Sequence, residues 1–391
     1  MTTTPETSTT NFSGSSVFIP RLKVIGLGGG GCNAVNRMIE SGMSGIDFIG
    51  VNTDHQTLKS CLAPTKIQLG PKTTRGLGAG GKPEVGEAAA KESAKELAEA
   101  LRGADLVFLT AGMGGGTGTG SIPVAAEIAR HLGAVTVSVV TTPFNFEMGQ
   151  RAKNANLGLS KLNQHSDTLI AISNDRLLEI KGGKMTFDLA FRVADDVLRQ
   201  AVQGITELIT EPGLINVDFA NVRRLMKMGG GAFLGIGQGQ GENKAADAIN
   251  KAINHPLLER FDLQHASGIL VNFTGGEDLT LHEINEALVS LQAQANPDTE
   301  IIMGVMNNEN MYGRAEVIMI ITGLGGRPLE EVLPGAERLN QAPAKANQPV
   351  EVIPQPEPVE ACLQPGLAAN RLDLPAFLRR PRYSGQALSS D

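Results

Sequence analysis

The chain has 391 residues, 41% hydrophobic and 19% charged, an ordinary balance for a soluble globular protein with room for two domains and a tail. A net charge of −7 and a pI of about 5.5 give a nucleic-acid-binding role no electrostatic support. Three scattered cysteines, Cys32, Cys61 and Cys362, offer neither a disulfide framework nor a zinc site and fit a reducing cytoplasm, and no apolar run approaches the length of a membrane span.

Residues 1–16 are rich in Ser and Thr and carry no basic residue, so they read as a disordered leader and not as a targeting signal. Arg21 to Gly26 (RLKVIG) has the pattern of a buried strand and runs into GLGGGGCNAVNRMIE, a glycine loop that turns helical near Cys32. This stretch contains G-x-G-x-x-G at Gly26, Gly28 and Gly31. A second strand, Ile46 to Val51, ends in Asn52-Thr53-Asp54, and an acid after the second strand is what a dinucleotide-binding fold uses for a ribose. Taken alone, this half supports an NAD-binding domain, on a fingerprint that is weak evidence by itself. Gly76 to Lys82 (GLGAGGK) nearly spells a P-loop, but Pro83 stands where Ser or Thr should hold magnesium and no strand precedes it, so we reject it. Pro83 then opens a helix expected to run through Leu101 and stop at Gly103.

The most informative stretch is GMGGGTGTG, Gly112 to Gly120, between a strand over 105–110 and a helix expected over 121–132. Glycine leaves the backbone unshielded, so its N–H groups can converge on one focus, and the following helix adds the positive end of its dipole. That is a phosphate site, and Thr117 and Thr119 add hydroxyls; the bland alternative is a flexible turn. Ala134 to Val140 is another buried strand, followed by TTPFNFEMGQR with Glu147 and Arg151 at i, i+4, a spacing that also suits a solvated surface ion pair. Thr168 to Ile172 is a strand leading to Ser173-Asn174-Asp175. Strands and helices alternating from 21 to 175 predict a parallel, doubly wound sheet, with ligands at the C-terminal ends of the strands.

Thr186 to Ile209 keeps a 3.6-residue apolar period and predicts one long helix of about 36 Å. Asp195 and Asp196 lie within it. After Pro212-Gly213 come a loop over 214–219, a short helix over 219–228, a helix over 243–253, a strand over 268–273, a helix over 280–295 with a Thr280/Glu283 capping box, and strands near 300–305 and 315–321. From about 334 the apolar period stops, and nine of the chain's 20 prolines lie at or beyond that point, which reads as a disordered linker. Arg371 to Arg382 (RLDLPAFLRRPR) regains Leu, Phe and charge, the mark of a short binding motif on a tether.

Two glycine loops, the Glu147/Arg151 spacing, the long helix and NVDFA after it occur together in one family, and the chain resembles FtsZ, the bacterial homologues of tubulin, over roughly 17–333 and the terminal island. GGGTGTG (114–120) is the specific part of that resemblance. It implies an α/β fold in which a Rossmann-like parallel-sheet GTPase domain is joined by a long central helix to a smaller α+β domain. The implied boundaries are a leader over 1–16, a GTP-binding domain over 17–185, the helix over 186–209, an activation domain over 210–333, a linker over 334–370 and a partner-binding tail over 371–391. The implied ligands are GTP or GDP with Mg²⁺. Gly29, Gly30, Gly31, Cys32 and Asn33 would approach the phosphates, as would Gly114, Gly115, Gly116, Thr117 and Gly118. Glu147 and Arg151 would hold the ribose side, and Asn174, Phe191 and Asp195 would meet the guanine, whose N1–H and N2–H₂ suit a carboxylate. No residue is assigned as a metal ligand. The implied behaviour is head-to-tail polymerisation in the cytoplasm at the mid-cell division ring. Residues 371–382 would bind membrane-tethering and regulatory division proteins, without membrane insertion or nucleic acid.

The long helix separates Asp195 at one end from Asn216 and Asp218 beyond the other, so Asp218 is expected to reach the nucleotide of the next subunit and not its own. Here the chain departs from the family motif N-x-D-x-x-D, with Asn216 and Asp218 in place but Asn221 where the second Asp stands. An amide takes no proton and binds a cation less well, so hydrolysis is expected to be slowed while GTP binding and assembly persist. Two alternatives remain at this stage: a GTP-binding structural filament with little hydrolysis, resting on Asn221, and an NAD-dependent oxidoreductase, resting on Gly26, Gly28, Gly31 and Asp54.

Overall fold

The computed structural model describes residues 20–147, 149–176, 186–210, 213–215, 217–228, 231–255 and 263–323. The leader over 1–16, the linker over 334–370 and the tail over 371–391 lie outside them. Six strands form the first half of the sheet: β1 (Leu22–Leu27), β2 (Ile46–Asn52), β3 (Thr65–Gln68), β4 (Leu106–Gly112), β5 (Val135–Thr142) and β6 (Thr168–Ser173). They are all parallel, in the order β3-β2-β1-β4-β5-β6. Four more, β7 (Gly231–Gln240), β8 (Gly268–Gly275), β9 (Glu300–Asn307) and β10 (Arg314–Thr322), follow in the order β7-β10-β8-β9. There β10 runs antiparallel to both neighbours, while β8 and β9 are parallel. The two halves share one sheet, because β6 and β7 pair in parallel through Leu169 with Gly231 and Ile170 with Ala232.

Both faces of the parallel half are covered, which is why its strands read as continuous apolar runs. Successive side chains alternate between the faces. Val24, Phe108, Val137 and Ile170 point to one core, and Ile25, Leu27, Leu109 and Val140 to the other. The first core holds α1 (Gly28–Glu40) and α8 (Phe187–Thr210). The second holds α4 (Pro83–Glu92), α5 (Ala94–Leu101), α6 (Thr117–His131) and α7 (Gln150–Asn163). Two short helices, α2 (His55–Ser60) and α3 (Pro71–Thr74), lie between β2 and α4.

The 24-residue α8 is the element that joins the halves. Its stripe of Ala194, Leu198, Ala201, Val202, Ile205 and Leu208 packs in one cluster with Val24 and Phe108 on one side and Leu234, Leu270, Ile302, Ile318 and Ile320 on the other. Truncating such a buried Leu or Ile to Ala typically costs ~2–5 kcal/mol. Gly204 and Gly304 let the helix lie close, since a Cβ on Gly204 would stand 2.8 Å from Ile318, and one on Gly304 would overlap Leu208. The far face of the second half carries α10 (Lys244–Ile253) and α11 (Leu281–Gln294), over a third core around Phe273 and Ile284. The short helix α9 (Phe219–Met226) follows the loop beyond α8.

Four features differ from the sequence reading. The helix expected over 83–101 is two helices, broken at Ser93, whose buried hydroxyl accepts from the Gly70 amide at 3.1 Å instead of continuing the helical pattern. The loop expected over 112–120 is half helix, because α6 begins at Thr117, and α1 likewise begins at Gly28 and not near Cys32. Strand β3 was not anticipated, being short and largely polar. Nor was β7, whose sequence GAFLGIGQGQ replaces apolar side chains by glycine. A Cβ on Gly237 or Gly239 would collide with the α10 backbone, so these glycines are where the helix rests directly on the strand.

Candidate functional site

Adjacent parallel strands β1 and β4 each run into glycines, Gly28 just after β1 and Gly112 at the end of β4, and release a helix from the same edge of the sheet. The two turns touch. A Cβ on Gly28 would lie 2.8 Å from the Gly118 nitrogen, and one on Gly30 would lie 3.1 Å from the Gly112 nitrogen. Gly28 also has φ of +73°, which only glycine adopts without strain. Neither helix has a side-chain cap at its start, at Leu27 or Gly116. The first-turn N–H groups of α1 and α6 therefore lack intrahelical partners, and the positive ends of the two dipoles lie side by side. Gly29 and Gly115 differ from their neighbours, since a Cβ on either meets nothing within 4 Å. Packing within the protein therefore does not require glycine at either position.

Other groups hold these side-chain-poor turns in shape. The Thr117 hydroxyl lies 2.6 Å from that of Thr53, which is fully buried. The Gly114 amide donates to the Thr119 hydroxyl at 2.8 Å. The Asn154 amide, on α7, donates to the Gly114 carbonyl at 3.2 Å and to the Gly81 carbonyl at 3.1 Å. Loop 76–82, the rejected P-loop, is thus fastened beside the glycine turn, with Ala79 and Lys82 against Gly116. Asp54 is spent locally as the N-cap of α2, accepting from the Gln56 amide at 2.9 Å and the Thr57 hydroxyl at 2.8 Å. The Thr57 bond, then the Gln56 one, holds its carboxyl below the usual carboxylate range.

Cys32, in the second turn of α1, is buried, whereas Asn33 is exposed. Cys32 meets Cys61, 29 residues on in the sequence, so two of the cysteines that look scattered are neighbours. Both are free thiols; their mutual hydrogen bond, aided by burial, pushes the Cys32 thiol up and draws the Cys61 thiol down.

A second group of residues sits beyond the β5 and β6 edges. Glu147, in a 3-10 turn over Asn145–Glu147, forms an ion pair with Arg151 at the start of α7, and its other oxygen accepts from the Phe144 amide at 3.0 Å. The sequence spacing allowed a fully solvated pair; instead the Glu147 side chain is only 10% exposed. Asn174 is buried, and its side-chain oxygen has no hydrogen-bond partner, an orphan that a native interior tolerates rarely. On α8, Phe191 keeps 44% of its surface exposed and receives the Phe144 ring edge-on at 5.4 Å. Asp195, one turn further, is buried and accepts from Arg37 of α1 at 2.9 Å. Burial raises its carboxyl pKa, and Arg37 opposes the rise.

The acid loop lies past the other end of α8. Leu214 and Ile215 donate to the Val305 carbonyl, which ties the loop to β9. Asp218 is exposed and caps α9, accepting from the Ala220 amide at 3.1 Å; Asn221 is exposed in the first turn of that helix. Asn216 lies outside the described residues. The 24 residues of α8 span about 36 Å. Sequence reasoning missed Arg37, Thr53, Phe144 and Asn154. Only Phe144 leaves a hint, in the Phe-Asn-Phe-Glu run, while the other three act across distances of 40 to 158 residues.

Comparison with known proteins agrees with this geometry. Residues 21–182 match the family model described as "Tubulin/FtsZ family, GTPase domain", and residues 230–325 match "FtsZ family, C-terminal domain". A solved structure titled "FtsZ dimer, empty", from M. jannaschii, is 47% identical, covers 79% of this chain and 90% of its own, and superposes with a TM-score of 0.76. The chain belongs to the FtsZ family. CetZ2 from Haloferax volcanii, solved as a "GTPgS bound protofilament", shares the fold at 20% identity and a TM-score of 0.68, covering 82% of this chain and 97% of its own. The expected fold class is therefore borne out: an FtsZ fold with a parallel α/β GTPase half and a C-terminal half. Membership also makes this a guanine-nucleotide GTPase by family. Among the described residues no helix is long and apolar enough to cross a membrane.

Proposed function

We propose that this FtsZ-family chain binds GTP at the paired glycine turns and hydrolyses it between subunits stacked head to tail, at the mid-cell division ring. The observation that carries the reading is the contact between two uncapped helix N-termini, Gly28 against Gly118 and Gly30 against Gly112. Gly29 to Asn33 and Gly114 to Gly118 take the phosphates, with Gly29 and Gly115 leaving the space for them. Glu147 and Arg151 take the ribose. Phe191 stacks on the base, and Asp195 and the orphan oxygen of Asn174 accept from its N–H groups. With Asp54 committed to a cap, the dinucleotide reading has no acid left for a ribose. No cluster of three or more His, Cys, Asp or Glu among the described residues is arranged to hold a metal. Mg²⁺ therefore fits here as a companion of phosphate oxygens and water, which is its usual preference, and it would supply charge neutralisation.

The exposed Asp218 sits too far along α8 to serve its own nucleotide, so it serves the neighbour's, where it orients water. Such a heterologous contact does not close and extends into a filament. Asn221 favours the second reading, a filament that turns over slowly. Residues 371–382, outside the described part, dock on membrane tethers; deleting 371–391 leaves polymerisation intact and abolishes that binding, and unchanged tether affinity would refute the assignment. The central experiment is GTP hydrolysis per subunit across a range of protein concentrations, with polymer followed by light scattering. Turnover that rises steeply above a critical concentration is expected; turnover independent of concentration would place the complete site within one subunit.

A further inference from the structure

Between the residues assigned to ribose and those assigned to base lies a side chain that neither the family match nor the proposed site uses. Phe144 is 2% exposed, so its ring meets no ligand directly. It is nevertheless in contact with both halves of the site. Its ring stacks on Phe146 at 5.0 Å and 14°, and meets Phe191 edge-on at 5.4 Å and 83°. Its amide donates to Glu147, the ion-pair partner of Arg151. The next amide, of Asn145, donates to Asp175 at 2.9 Å, which fastens the same segment beside Asn174.

We propose that Phe144 is a positioning residue for nucleoside recognition, locking the Phe191 platform and the Glu147 carboxylate into one unit. This rests on the reading that Phe191 meets the base and Glu147 the ribose. An exposed aromatic platform with no backing is free to change rotamer. An edge-to-face partner restrains it, and such pairs act beyond their buried area. The side of the ligand served is the nucleoside; the phosphate turns are held separately, by Thr53, Thr119 and Asn154.

The test compares GTP with inorganic tripolyphosphate, which lacks the nucleoside, on wild-type protein, Phe144→Leu and Phe144→Met. Met nearly conserves the buried volume while losing the ring. The expected result is GTP affinity weakened about three- to tenfold with tripolyphosphate affinity held within about twofold. Phe191→Leu should weaken GTP by itself and add little on top of Phe144→Met, because both remove one platform. Parallel loss of GTP and tripolyphosphate in both variants would reduce Phe144 to a packing residue and overturn the proposal. So would unchanged GTP affinity, or full additivity with Phe191→Leu. Wild-type protein that binds GTP no more tightly than tripolyphosphate would overturn the nucleoside assignments themselves, an outcome distinct from failure at Phe144 alone.

Discussion

The two ends of α8 are built on opposite principles. At its start, Asp195 is buried against Arg37, Phe191 is backed by Phe144, and the nearby glycine turns are held by the side chains of Thr53, Thr119 and Asn154. Past its end, Asp218 and Asn221 are exposed and engage only their own short helix. One end is organised before any ligand arrives. The other presents a carboxylate to solvent. On the proposed reading, the first is a binding site preorganised to discriminate and the second a group left accessible to a neighbour.

The largest effect is expected at Asp218. Asp218→Asn keeps a good helix cap but removes the carboxylate. Phosphate release per assembled subunit is expected to fall by about a hundredfold or more, with GTP affinity of dilute subunits unchanged. A matching loss of affinity in dilute protein would put Asp218 inside its own subunit's site. Asn221→Asp works in the other direction, and turnover is expected to rise about tenfold as a second carboxylate joins the first. If it stays the same, the amide at 221 is not what limits the rate.

The preorganised end is sharpened by adjacent glycines. Gly28→Ala forces a side chain into positive φ and against Gly118, and should lower stability to denaturant by ~1–3 kcal/mol. Gly29→Ala points its methyl into open space and should leave stability equal or up to ~1 kcal/mol higher, while weakening GTP. If Gly29→Ala binds GTP normally, the phosphates do not lie in front of that turn.

The smallest expected effect is at Asp195. Its folded pKa is raised by burial, so its contribution to stability is fully present below the ordinary carboxylate range and is lost as pH rises through the raised value. Nucleotide-free Asp195→Asn should therefore melt about 1–3 °C higher than wild type at neutral pH, with the difference fading on acidification. GTP affinity should fall in the same variant. A variant that melts below wild type at neutral pH, with the deficit closing on acidification, would show that Arg37, and not burial, dominates the carboxylate.

Much of this was legible in the sequence, for identifiable reasons. Parallel strands buried on both faces leave unbroken apolar runs, and α8 writes its single buried stripe over 24 residues. The glycine turns stand out because so many adjacent positions lack side chains. What the sequence hides are cases where one residue does another's work. On one face of β7 the α10 backbone stands where side chains would be, at Gly237 and Gly239, so these glycines erase the apolar alternation that marks a strand. Ser93 breaks a helix through a bond to Gly70, with no Pro or Gly to announce it. Arg37 and Asp195 are an exposed-looking pair of charges until folding brings them together across 158 positions.

The bonds from Asn154 to the Gly81 and Gly114 carbonyls bear on transplanting this site to another scaffold. Apart from the Thr119 hydroxyl on the Gly114 amide, the glycine run over 112–120 has no means of holding its own shape, so it is not a self-sufficient cassette. Grafted onto a different parallel sheet, it would carry its freedom with it but leave behind the restraint that makes the freedom useful. The smallest portable unit is larger than the signature: it includes α7, for the sake of one amide that grips both loops at once.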